Sequence, residues 1–201
     1  MVKKKIILIS ASLLILITQT LSAHPHVFID TTVTVVFDDE GIIGFQIQWL
    51  FDEMFSSMII NDFDEDYNLK FNSQEISNIE KNAFSNLKNF HYFSYISFNG
   101  KDYPFKKVTN FSASIKYGRL IYQFFIPCSI KAKKTEQIAT VATYDDSYYS
   151  DIAFSENSPL ILRNSDAYTV RYEIVQNKKN PIYFGQVCPF EVKIYFRKKN
   201  G

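Results

Sequence analysis

Side-chain hydrophobicity along this chain changes period twice, and those switches constrain the fold more than any other feature. From Val27 to Phe37 β-branched and apolar residues alternate around Ile29, Thr31, Val33 and Val35. After the turn Asp38-Asp39-Glu40-Gly41 a second run covers Ile42 to Leu50. Period two puts every other side chain on one face of a strand, so the runs predict a hairpin. At Phe51 the period becomes helical. Phe51, Met54, Phe55, Met58 and Ile59 fall at i, i+3, i+4, i+7 and i+8, and Ile76, Ile79, Ala83, Phe84, Leu87 and Phe90 repeat that signature. After His91 the period returns to two. Tyr92–Phe98 and Lys101–Phe105 flank Asn99-Gly100, a pair suited to a two-residue type I′ turn. Val108–Lys116 and Arg119–Ile126 flank Tyr117-Gly118, and Gln137–Tyr144, Tyr168–Val175 and Glu191–Arg197 complete the expected strands. The prediction is one α+β domain over residues 24–201: an antiparallel β-sandwich-like structure interrupted over 51–91 by a helix–loop–helix insertion.

Composition agrees with a packed domain. The chain has 201 residues, 46% hydrophobic and 21% charged, with 22 Lys and Arg against 21 Asp and Glu. That balance removes the electrostatic argument for a nucleic-acid partner. The first 23 residues read as a cleavable export signal. Lys3, Lys4 and Lys5 precede the apolar run Ile6 to Ile17, and Leu21-Ser22-Ala23 offers a small-residue cleavage site. The apolar run is shorter than the ~20 residues a spanning helix needs. Removing 23 of 201 residues leaves 178 and takes away three lysines, so 19 basic residues face 21 acidic ones. Cys128 and Cys188 are the only cysteines, each beside a proline. In an oxidising compartment they form either a bridge or two buried thiols.

The loop between the helical runs is acidic. Counted from Asp64, oxygen-bearing side chains stand at positions 1 (Asp64), 3 (Asp66), 5 (Asn68) and 9 (Asn72), with Phe71 at 8 and Glu75 at 12. This is the spacing of an EF-hand calcium loop, in which Lys70 at position 7 contributes its backbone carbonyl. Alternate residues of a tight loop aim oxygens at one centre, and a glutamate on the exiting helix adds two more. Position 6 is Leu69, where a glycine ordinarily supplies a left-handed backbone. A side chain there costs on the order of 1 kcal/mol.

Three histidines exist: His24, His26 and His91. Cleavage after Ala23 would start the mature chain His24-Pro25-His26, and imidazoles together with a free amine suit zinc, nickel or copper. Pro25 has no amide hydrogen, which excludes the amino-terminal copper motif that needs one. A brace of His24 with His26 or His91 would make a copper enzyme conceivable. The plainer alternative is a strand start with hydrogen-bonded imidazoles. No Gly-x-Ser-x-Gly elbow or Cys–His signature suggests a hydrolase. Tyr144-Asp145-Asp146-Ser147-Tyr148-Tyr149 is either a contact loop or a solvated connection. Tyr183-Phe184-Gly185-Gln186 reads as a turn, and Lys131, Lys133 and Lys134 as a solvated basic patch.

Taken in order, His24-Pro25-His26-Val27-Phe28-Ile29-Asp30, Trp49-x-Phe51-Asp52-Glu53-Met54-Phe55, the acidic loop, Phe90-His91-Tyr92-Phe93, Pro127-Cys128, Tyr144-Asp145 and Tyr183-Phe184-Gly185-Gln186-Val187 resemble one family. It is domain of unknown function family one thousand and seven, often labelled the periplasmic component of an uncharacterised ABC-type transport system. The resemblance implies an exported protein associated with transporters for zinc, nickel or cobalt, and no established activity. It also implies glycine where Leu69 stands. The expectation is a periplasmic, non-catalytic binding or accessory protein. His24, His26 and His91 would be transition-metal ligands, and Asp64, Asp66, Asn68, Lys70, Asn72 and Glu75 a calcium site. The competing expectation is an interaction module that docks on a membrane permease without a transition metal.

Overall fold

A computed structural model describes residues 25–199. The expected leader over 1–23 and His24 lie outside the described residues. Strands β1 (Val27–Phe37) and β2 (Gly41–Phe51) form the expected hairpin, with Val33 opposite Ile47 and Thr31 opposite Trp49. Helices α1 (Glu53–Phe63) and α2 (Ser73–Asn82) follow, then a 3-10 segment over Phe84–Phe93. The remaining strands are β3 (Ser94–Phe98), β4 (Lys101–Asp102), β5 (Thr109–Lys116), β6 (Arg119–Lys131), β7 (Gln137–Thr143), β8 (Ser150–Phe154), β9 (Leu160–Arg163), β10 (Tyr168–Gln176) and β11 (Phe190–Lys198). They make two sheets. One runs β5-β6-β2-β1, with β8 and β9 both paired to β1; the other runs β10-β11-β7-β3-β4.

Alternation explains the core. Phe45, Ile47 and Trp49 of β2, Phe124 and Ile126 of β6, and Val192, Ile194 and Phe196 of β11 are all inaccessible to solvent. Each large apolar side chain taken out of water contributes roughly 1.5–3 kcal/mol. Phe37 of the first sheet meets Phe196 of the second edge to face, with ring centroids 6.1 Å apart. The turns follow their residues. Asn99 and Gly100 both take positive φ (48° and 75°), as a type I′ turn requires, and Tyr117 and Gly118 (52° and 75°) do the same. Gly44 answers a different demand. A Cβ there would overlap the Phe125 ring and the Ile126 carbonyl of the adjoining strand, beside the irregularity where β2 pairs with Pro127.

Two expectations need correction, and the alternatives for the cysteines are decided. The sheets are not wholly antiparallel, because β8 and β9 run parallel to β1 (Val27 opposite Ser150, Val33 opposite Leu160). Segments of five and four residues carry too little pattern to register alone, and they become strands by completing the free edge of β1. The second helical run also breaks. The α-helix ends at Asn82, and the chain tightens through Ala83 into 3-10 turns that finish in left-handed residues His91, Tyr92 and Phe93. That path lets both Phe84 and Tyr92 reach the core, where their rings lie 5.2 Å apart. Strand β3 therefore begins at Ser94 rather than Tyr92. Finally, Cys128 and Cys188 are separate thiols. Cys128 lies within β6, where its Sγ is 3.5 Å from the Ile42 carbonyl oxygen and burial pushes the thiol up to about 12.

Candidate metal centre

The insertion is pinned to the first sheet before its loop begins. Asp52 caps α1. Its Oδ1 accepts from the Phe55 N–H and its Oδ2 from the Phe28 N–H, both at 2.9 Å, which ties the helix start to β1. On the buried side Ser56 Oγ accepts from the Leu120 N–H at 2.9 Å, binding α1 to β6. Phe55 stacks on Phe51, with ring centroids 4.9 Å apart.

The loop then closes on itself. Asp64 ends α1, with its N–H bonded to the Ile60 carbonyl, and its Oδ2 accepts from the Leu69 N–H at 2.9 Å. That bond draws the chain into a tight turn at Leu69, whose φ is +61°. Leucine thus adopts the left-handed backbone that the spacing demands of a glycine. Asp66 accepts from the Asn68 backbone and side chain, and Asn68 Oδ1 accepts from the Lys70 N–H. Phe71 packs against the core and anchors the far side of the turn. Asn72 starts α2 with a capping box. Its Oδ1 accepts from the Gln74 and Glu75 N–H groups, while Glu75 Oε2 accepts from the Asn72 N–H at 2.7 Å. Glu75 Oε1 reaches across the loop to the Glu65 N–H at 2.9 Å.

These bonds gather three carboxylates. One oxygen from each of Asp64, Asp66 and Glu75 lies within 4.8 Å of the others. Asp64 is 2% and Glu75 1% exposed, and Asp64 Oδ1 has no hydrogen-bond partner among the described residues. None of the described ion pairs involves the three. Three carboxylate oxygens this close could hold a cation between them. The oxygen-only donors suit a hard ion rather than a soft one. Of the six expected ligands the structure brings Asp64, Asp66 and Glu75 together. It keeps Asn68 and Lys70 on the same turn and commits the Asn72 side-chain oxygen to the helix cap.

The histidines are placed differently. His26 is exposed, with its backbone N–H bonded to the Tyr149 carbonyl and its ring centroid 4.9 Å from that of Tyr149. His91, also exposed and left-handed, lies 6.0 Å from the Tyr95 ring. Neither belongs to a cluster of three metal-binding side chains among the described residues. The segment between their partners has a structural role that the sequence did not signal. Asp145 is buried, and its carboxylate accepts from the Ser147 N–H and Oγ–H and from the Ser150 N–H, which sets the start of β8. Asp146 accepts from the Tyr95 hydroxyl at 3.2 Å, and Tyr95 stacks on Tyr144 with centroids 4.1 Å apart. Residues 183–186 form the expected turn, closed by the pairing of Ile182 with Val187.

Residues 9–182 match the family described as "Protein of unknown function (DUF1007)". The chain belongs to the DUF1007 family. It is 30% identical over 131 residues to an uncharacterized 15.5 kDa protein in the trpE 3′ region of Spirochaeta aurantia, a match covering 65% of this chain and 93% of that protein. An uncharacterized protein of Haemophilus influenzae is 28% identical over 138 residues, which cover 68% of this chain and 65% of the relative. The DUF1007 match takes in both helices, the acidic loop and strands β1 to β10, and ends before β11.

Proposed function

We propose that this DUF1007 protein is an exported, non-catalytic metal-binding protein whose acidic loop holds Ca²⁺ in the manner of an EF-hand, and that it serves as an accessory to transition-metal transport. The observation that carries the calcium reading is the buried, unpartnered Oδ1 of Asp64 beside the carboxylates of Asp66 and Glu75. Asp64, Asp66 and Asn68 would supply side-chain oxygens, Lys70 its carbonyl, Glu75 its carboxylate, and Asn72 a contact through water. The ion would neutralise charge that the fold has already desolvated, and so lock α1 to α2. A lone loop of this kind suits a structural ion better than a switch.

The transport reading rests on the family resemblance and on the His24-Pro25-His26 start. The label of an ABC-type transport component belongs to this reading and goes no further.

Calorimetric titration of the metal-free protein tests both halves. Ca²⁺ should bind with Kd about 10⁻⁴–10⁻³ M, and Asp64→Asn should abolish it. No Ca²⁺ heat and no thermal shift would overturn the calcium half. Zn²⁺, Ni²⁺ or Cu²⁺ should bind more tightly than ~10 µM and lose that affinity in a His24→Ala/His26→Ala variant. Weaker binding, or binding unchanged in the variant, would remove the transition-metal half in favour of a module that docks on a permease.

A further inference from the structure

The second sheet carries a cavity of about 410 Å³ to which the first sheet and the acidic loop contribute nothing. Strand alternation explains the hollow. Ile96 of β3, Val141 of β7 and Val192 of β11 are buried in the core, so Tyr95, Ser97, Thr140, Ala142 and Glu191 stand on the opposite face. In register, Ala142 lies between Tyr95 and Glu191, and Ser97 lies between Thr140 and Asp102. Residues directly opposite share a face. Ser97, Thr140 and Ala142, all small, thus make a low floor between bulkier neighbours. Tyr95 and Tyr144 stack beside it, with ring centroids 4.1 Å apart. The volume is within the range of small-molecule pockets, roughly 300–1,000 Å³.

The charge on this lining has one sign. Two carboxylates line the cavity from opposite banks, Asp102 on β4 and Glu191 on β11, with β3 and β7 between them. Neither lysine nor arginine lines it. Asp102 enters none of the described ion pairs. Glu191 Oε2 accepts from Asn177 Nδ2 at 2.8 Å, and Asn177 is itself part of the lining, which fixes the carboxylate at the cavity wall. Its Oε1 is 3.7 Å from Lys193 Nζ, too far for a hydrogen bond. Burial, then Asp146, Asp102 and Glu191, push the Tyr144 hydroxyl up to about 12, so the negative field reaches the aromatic wall.

That arrangement selects its guest. A hard metal ion wants six or more oxygens converging on one centre, and neither Asp102 nor Glu191 belongs to a cluster of three metal-binding side chains among the described residues. Carboxylates on opposite banks suit instead two cationic groups held apart. Ammonium groups give strong, charge-assisted bonds to carboxylates, and aromatic faces attract cations. We propose that this cavity binds a short aliphatic diamine, with one ammonium held by Asp102, the other by Glu191, and the methylenes lying over Ser97, Thr140 and Ala142 beside the Tyr95–Tyr144 stack. The site is separate from the acidic loop, and its test does not depend on Ca²⁺ binding there.

Calorimetric titration of the intact protein with three probes of like length tests the proposal: 1,4-diaminobutane, 1-aminobutane and 1,4-butanediol. The diamine should bind with Kd about 100 µM or tighter. The monoamine, which also mimics a lysine side chain of a protein partner, should bind at least about tenfold more weakly, the worth of one charge-assisted hydrogen bond. The diol should give no saturable heat. Asp102→Asn and Glu191→Gln, both on the solvent side of the sheet, should each weaken the diamine to about the level of the monoamine, and Asp64→Ala should leave it unchanged. No saturable binding of the diamine, or equal binding of diamine and monoamine by the unaltered protein, would overturn the proposal. So would affinity that survives both cavity substitutions, or that is lost in Asp64→Ala, since the diamine would then be sitting at the acidic loop.

Discussion

The acidic loop and the histidines are both sets of potential metal ligands, and the fold treats them in opposite ways. Asp64, Asp66 and Glu75 lie within twelve residues, and local bonds at Leu69, Asn72 and Glu65 turn their oxygens to one centre. His26 and His91 are separated by the whole insertion and rest on different partners, Tyr149 and Tyr95. Convergence of near neighbours is a property of turn geometry. Convergence of distant ones is a property of packing, and here packing has given each ring its own aromatic neighbour.

Alkali should produce the largest effect, because it attacks the scaffold that holds the two regions apart. Burial raises the Cys128 thiol from 9.0 to about 12, and burial with the nearby Asp146, Asp102 and Glu191 raises Tyr144 from 10.0 to about 12. Tyr122 and Tyr95 are pushed higher still, Tyr122 by burial alone. Groups held protonated in the native state contribute stability that is complete below their unfolded values and is lost as pH rises through the folded ones. Stability to urea should therefore hold up to about pH 9 and collapse between pH 9 and 12, and Tyr122→Phe should move the collapse upward.

Calcium should separate the two regions next most clearly. At a hundredfold excess over Kd it should stabilise the protein by about 2.7 kcal/mol. Asp64→Ala should erase that gain in urea melts, and His26→Ala/His91→Ala should retain it. Equal losses in both variants would break the contrast. Ser56→Ala should cost on the order of 2 kcal/mol without altering the loop, because it leaves the buried Leu120 N–H unpaired. Smaller again is Leu69→Gly. Leu69 is 58% exposed, so removing its side chain forfeits little burial, and relief of the left-handed backbone should raise stability by about 1 kcal/mol. His26→Ala should be smallest, within about 0.5 kcal/mol, with any change confined to transition-metal binding.

Much of the fold was legible because its signals are local. The β1–β2 hairpin, the Asn99-Gly100 turn and the first helix each follow from a few consecutive residues. The loop was legible for the same reason, even at Leu69, where the hydrogen bond to Asp64 overrides the preference for glycine. The end of the second helix was not. Apolar spacing through Phe90 suits a helix, yet placing Phe84 and Tyr92 side by side in the core requires a tighter path and left-handed residues after it. The buried role of Asp145 was equally hidden, since its sequence neighbours are polar or aromatic and look solvated.

By itself the amino-acid sequence determined the alternation of strands, the two-sheet class, and the ordered oxygens of the acidic loop, because period, turn residue and donor spacing act over a dozen residues or fewer. Tertiary structure alone decided the parallel addition of β8 and β9 to β1, the separation of the two thiols, the placement of each described histidine, and the cavity beside Tyr144. Each of these depends on which distant surfaces meet. No local propensity encodes that, and only the free energy of packing the whole chain resolves it.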